Sequence, residues 1–320
     1  MTTKDIGTEL PEAVNPAPCN PAHPPNTDFD PAPKTQSELQ KTFVAMLFAF
    51  VAATVAQQLG EILVVATKAW RLANSAPEMW SAVRGDGWLL AVGLLHAMLA
   101  LVMVTVSWIS WSRSQAGMHK KDIDSVFSRK FIIFLVEIFL VTLYFSISKS
   151  AETDFSAYLK DGRTSSFVKN PSARPESLQI LWVFVTFAAW DYLVDVVRPC
   201  SWRTLRPLSV FNHLRKVFAF CGVSLFCAVL AYLVSIYTPA SGGTALQVAF
   251  GDLALIACVF LFIAAKPFEY FLTQGMSKEL TGDVTLREHP SSTEKRRFWF
   301  LLTLVLLCIL MTRSAPCILG

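Results

Sequence analysis

The chain has 320 residues, of which 53% are hydrophobic and 16% are charged, whereas soluble domains carry about 25% charged residues. Its net charge of +4 comes from basic residues spread over the predicted loops. This argues against nucleic-acid binding, which needs a concentrated basic patch. The seven cysteines form no C-x-x-C motif, so the sequence predicts neither a zinc site nor a disulfide framework.

The first predicted element is a Pro-rich, acidic tail over residues 1–42. Eight prolines fall within residues 1–36, and large apolar side chains are few. Such a segment buries too little apolar surface to offset its chain entropy, so we expect it to be disordered.

Seven apolar segments follow in chain order. A helix of about 20 residues crosses about 30 Å of hydrocarbon. The candidate spans are residues 43–67, 87–111, 131–148, 179–198, 217–238, 247–265 and 298–313. We therefore predict an all-α, polytopic transmembrane helical bundle over residues 43–313, followed by a short C-terminal tail, 314–320. The last span is short, so six spans with an interfacial C-terminal helix is the alternative.

The distribution of lysine and arginine predicts the orientation of the chain. Segments 1–42, 112–130, 198–216 and 266–297 hold 19 basic residues, and the segments on the other side hold 9. Cytoplasmic loops carry the excess of such residues. We expect a multi-pass integral membrane protein with its N-terminus in the cytoplasm.

Two carboxylates occur in the stretch FAAWDYLVDVVRP, residues 187–199. At 100° per residue, Asp191, Asp195 and Arg198 share one face of a helix. Arg198 can compensate only one of the two acids. This predicts an uncompensated negative charge near the cytoplasmic end of the fourth span.

Other ionisable residues fall in two layers. Glu137 enters the third span from the same side as Asp191 and Asp195. On the opposite side lie Glu61, His96 and Asp252. Two polar layers with an apolar middle are typical of two vestibules separated by a hydrophobic constriction. Lys266, at the end of the sixth span, is interpreted as a snorkelling lysine.

These residues favour a protein that conducts, transports or binds a cation or small polar solute, with the lipid bilayer as its environment. The alternative is a non-transporting sensor, scaffold or effector that recruits partners through basic cytoplasmic loops. A third hypothesis is an intramembrane enzyme that uses His96 with an acid. The nucleotide-binding, zinc-protease and nucleophile-elbow motifs are missing from the sequence. We therefore expect no enzymatic activity, no cofactor and no metal. A homo-oligomer is compatible with each of these functions.

Overall fold

The computed structural model describes residues 36–72, 76–116, 129–161, 172–197, 210–240, 243–281 and 291–318. These residues form seven long α-helices and, within the described ranges, no strands. The helices are α1 Gln36–Leu72, α2 Ala76–Ala116, α3 Arg129–Asp161, α4 Arg174–Asp191, α5 Val210–Tyr237, α6 Ala245–Thr281 and α7 Ser292–Ile318. A π-helical segment, Tyr192–Val197, continues α4.

All seven helices are long and apolar enough to cross a membrane. This confirms the predicted all-α transmembrane bundle and favours seven spans over six, because α7 contains a 23-residue apolar segment, Ser292–Ser314. The protein is therefore a multi-pass integral membrane protein.

The helices are longer than the apolar segments that predicted them. The first helix begins at Gln36, inside the predicted tail, and α7 continues to Ile318, inside the predicted C-terminal tail. Hydropathy marks the part of a helix that suits hydrocarbon, whereas backbone hydrogen bonding continues beyond it. The tail as far as residue 35 and Arg198 lie outside the described residues.

Local sequence signals fix where several helices begin. The Ser291 amide donates to Glu294 Oε2 at 2.7 Å, and the Glu294 amide donates to Ser291 Oγ at 3.2 Å. Thr244 and Gln247 make the same reciprocal pair at the start of α6. These are capping boxes, which satisfy amides that have no partner inside the helix. In α4, Pro175 occupies the first turn, where a missing amide costs nothing.

Two helices, α4 and α6, form the centre of the bundle. The fourth helix packs on α3, α5 and α6, and α6 also packs on α2, α5 and α7. Their apolar segments are 56% and 61% buried inside the protein, against 28% for α1 and 22% for α7. The peripheral helices expose large apolar side chains, such as Phe50 and Phe300, which suit contact with lipid.

An aromatic layer fills the space between the two central helices. The rings of Phe184 and Phe187 on α4 lie 5.5 Å and 5.3 Å from the ring of Phe262 on α6. All three rings are buried. The layer separates the two ends of the α4–α6 pair, where the charged side chains lie.

Candidate functional site

One end of the α4–α6 pair carries a buried histidine between two carboxylates. His96 on α2 places Nε2 3.4 Å from Glu176 Oε1 and Nδ1 3.8 Å from Asp252 Oδ2. The exposed fractions of the three residues are 4%, 1% and 0%. We call this set the His96 cluster. A neutral imidazole donates from only one nitrogen, whereas an imidazolium donates from both, so protonation would let His96 interact with both acids.

Close contact between two helices brings Asp252 to this position. A Cβ atom added to Gly251 would lie 2.9 Å from Cβ of Ala173, the residue that caps α4. Real Cβ atoms essentially never approach that closely. Only glycine at position 251 therefore lets α6 lie so near the start of α4, next to Glu176.

The other end of the pair carries a partly buried lysine between two buried carboxylates. The ammonium of Lys266 on α6 donates to Asp191 Oδ2 at 2.8 Å and lies 3.0 Å from Glu269 Oε2. Ser224 on α5 donates to the same Asp191 oxygen at 2.6 Å. We call these four residues the Lys266 cluster. With two acids and one ammonium, its formal charge is negative.

Both central helices are irregular at the Lys266 cluster. Directly after Asp191, α4 changes to π-helix, and π-bulges are frequent at functional sites. Directly after Lys266, α6 contains Pro267. Proline has no amide hydrogen, so the helical bond to the carbonyl of Ile263 cannot form. The backbone at this end is thus less constrained than in a regular helix.

Glu137 lies on the other side of α4, beside a small cavity. The Trp190 indole N–H is 3.4 Å from Glu137 Oε1, and Glu137 is buried. The cavity measures about 20 Å³ and is lined by Glu137, Ser107, Leu140 and five aromatic residues, Phe48, Trp111, Tyr144, Phe187 and Trp190. Glu137 therefore faces α1, α2 and α4, whereas the neighbouring Asp191 faces α5 and α6.

The structure brings some of the predicted residues together and leaves others apart. His96 and Asp252 meet in one cluster, but Glu61 is half-buried and bonds to Gln57 of its own helix at 3.2 Å. Asp195 is half-buried in the π-helical segment. Asp191 pairs with Lys266, so snorkelling does not explain this lysine.

Two acids of the clusters were not among the candidates. Glu176 precedes the apolar segment predicted for the fourth span, and Glu269 follows the sixth. The available signals were an acid beside Pro175 in a helical first turn and a carboxylate three residues after Lys266. In the described part of the chain, no group of three or more His, Cys, Asp or Glu side chains is arranged to hold a metal ion.

Comparisons with protein-family models, with curated proteins and with solved structures find no match to this chain. The function proposed for the chain therefore rests on the geometry of the two clusters.

Proposed function

We propose that this membrane protein binds a cation and moves it across the bilayer, with the His96 cluster and the Lys266 cluster at the two ends of the path. The observation that carries this proposal is the charge at each end of the α4–α6 pair. Each cluster holds two buried carboxylates and one basic side chain.

Burying more carboxylates than basic groups costs folding free energy unless the extra negative charge is compensated. An ionised group inside a transmembrane span costs free energy, up to about 2.5–3.5 kcal/mol at the helix centre on insertion scales and less toward the ends. A structural ion pair needs one acid for each base, whereas each cluster contains a second acid. Counted over its own residues, each cluster therefore holds more acidic than basic groups, and a local excess of carboxylates attracts cations. Buried negative charge at both ends of the central helices thus supports cation binding.

The layer between the clusters resembles a gate. A path between α4 and α6 would be closed by the packed rings of Phe184, Phe187 and Phe262, and apolar constrictions of this kind block ions. Interrupted helices at membrane depth are common in transporters. The π-helical segment and Pro267 supply such interruptions next to the Lys266 cluster.

Gradient-driven current in proteoliposomes tests this function. The full chain would be reconstituted and exposed in turn to gradients of H⁺, Na⁺, K⁺ and NH₄⁺. We expect current above that of protein-free liposomes for at least one cation. The substitution Asp252→Asn should reduce it by about tenfold or more, since a hydrogen bond to a charged group contributes about 1.5–3 kcal/mol and 1.4 kcal/mol is tenfold.

Glu61→Gln provides the matched control, because it removes the same charge from a residue that bonds within α1. This variant should keep the wild-type current. A folded wild-type protein that gives no current with any of the four cations would contradict the proposal.

The second candidate function is the non-transporting sensor or scaffold. One observation favours it: α3 and α6 continue as helices to Asp161 and Thr281, beyond their spans, which end at Lys149 and Glu269. Helical extensions of this kind can present surfaces to partners. Absence of current together with retained folding would support this function.

A further inference from the structure

We infer that the start of α7 binds the headgroup of an anionic phospholipid. The site consists of three consecutive cationic side chains, Lys295, Arg296 and Arg297, with Trp299 and Phe300 about one helical turn deeper in the membrane. We call these five residues the α7 surface. The α7 surface shares no residue with either cluster, so the inference does not depend on the transport function proposed above.

The charge pattern of α7 sets the depth of this surface in the bilayer. No charged residue occurs between Arg297 and Arg313, a rise of about 24 Å at 1.5 Å per residue. The hydrocarbon core is about 30 Å thick, and arginine side chains at the ends of a span reach outward from it. The three cationic side chains therefore lie at the level of the lipid phosphate groups.

Packing against α6 turns the α7 surface away from the bundle. The ring of Phe298 lies 5.4 Å from the ring of Phe268 on α6, and Phe298 is half-buried. At 100° per residue, Arg296 and Phe300 each lie about 160° from Phe298 around the helix. The exposed fractions of Trp299 and Phe300 are 64% and 66%. These side chains therefore face the lipid and not another helix of the bundle.

The three cationic side chains have no acidic partner among the described residues. All three are exposed, and none takes part in an ion pair within the described part of the chain. The adjacent acid, Glu294, is half-buried and accepts a hydrogen bond from the Ser291 amide at the start of the helix. Their charge can therefore be balanced by an anion from outside the protein.

Charge and apolar contact together favour an anionic phospholipid as that anion. Guanidinium groups bind phosphate oxygens through paired hydrogen bonds. In phosphatidylcholine the choline balances the phosphate, whereas phosphatidylglycerol keeps a net negative charge. Each Lys or Arg near an anionic surface strengthens binding by about fivefold. The acyl chains of the same lipid would lie along Trp299 and Phe300, whereas a soluble acidic partner would leave these two side chains unused.

The emission of Trp299 reports on the lipid at this surface. The full chain would be reconstituted in phosphatidylcholine liposomes that contain increasing amounts of brominated phosphatidylglycerol or of brominated phosphatidylcholine. Brominated acyl chains quench tryptophan emission on contact. The chain has nine tryptophans, so the signal of Trp299 is the difference between the wild type and Trp299→Phe. At low salt, half-maximal quenching of Trp299 should need at least about fivefold less brominated phosphatidylglycerol than brominated phosphatidylcholine.

Variants identify the cations responsible. Lys295→Gln, Arg296→Gln and Arg297→Gln combined should make the two brominated lipids equally effective at Trp299. Arg174→Gln is the control, because Arg174 is also an exposed arginine in the first turn of a spanning helix, α4. The control variant should keep the wild-type preference. Equal quenching by the two lipids in the wild type, or an unchanged preference in the folded triple variant, would overturn the inference.

The salt dependence of the wild type keeps the inference testable if the triple variant fails to fold. The Debye length falls from about 10 Å at 0.1 M salt to about 3 Å at 1 M, and exposed charges are screened accordingly. Raising sodium chloride to about 1 M should therefore remove most of the preference for phosphatidylglycerol. A preference that persists unchanged at high salt would overturn a site made of exposed cations.

Discussion

Lys266 donates to two buried carboxylates, Asp191 at 2.8 Å and Glu269 at 3.0 Å. Removing one partner of a buried ion pair costs about 3–5 kcal/mol, because a charge remains buried without compensation. We therefore expect Lys266→Met to lower the melting temperature of the purified protein strongly. Lys295→Met, at an exposed residue in the first turn of α7, should change it little. Equal melting temperatures for the two variants would show that the Lys266 cluster does not stabilise the fold.

The partners of Lys266 also show what a sequence can predict about single residues. Periodicity within one helix placed Asp191 and Arg198 on the same face, and this intrahelical relation suggested Arg198 as a counter-ion, which lies outside the described residues. The observed partner, Lys266, belongs to α6. Which helices touch is decided by packing between them, and no pattern within a single span reports it. Glu176 was missed for a related reason, since it precedes the apolar residues that defined its span.

At the scale of helices, Gly251 is the point where α6 lies against the start of α4. We predict that Gly251→Ala destabilises the protein by about 1–3 kcal/mol, because overpacking forces backbone or side-chain shifts. Gly222→Ala is the control, since a Cβ at that position on α5 would meet no atom within 4 Å. Alanine there should be neutral or stabilising by up to about 1 kcal/mol. Chemical denaturation of both variants would measure the difference, and a stable Gly251→Ala protein would refute the close contact.

The helices themselves were predictable, whereas their irregularities were not. The length of the apolar segments alone identified all seven spans. A segment that crosses hydrocarbon must satisfy its own backbone hydrogen bonds, and a helix does so within one segment. The angle between Asp191 and Asp195 was calculated for α-helical geometry, but the chain becomes π-helical at Tyr192. A π-helix bonds residue i to i+5 and turns less per residue. The smaller turn changes the calculated angle between Asp191 and Asp195, but it does not move Asp195 to the opposite face of the helix.

For the whole molecule, seven spans require the two ends of the chain to lie on opposite sides of the membrane. The excess of basic residues predicts a cytoplasmic N-terminus. A tag before Met1 should therefore be protected in sealed, right-side-out vesicles, and a tag after Gly320 should be cleaved by added protease. Cleavage of both tags, or of neither, would contradict seven spans.

The central claim is that both ends of the α4–α6 pair lie on one cation path. Glu176 and Asp191 are 15 residues apart on α4, or about 22 Å at 1.5 Å per residue. The most direct measurement is the gradient-driven cation current of Asp252→Asn and Asp191→Asn, each reconstituted in the same amount as the wild type and checked for helical content. We predict that each substitution alone reduces the current by about tenfold or more, although the two positions do not share a contact. Wild-type current in either folded variant would contradict a path through both clusters.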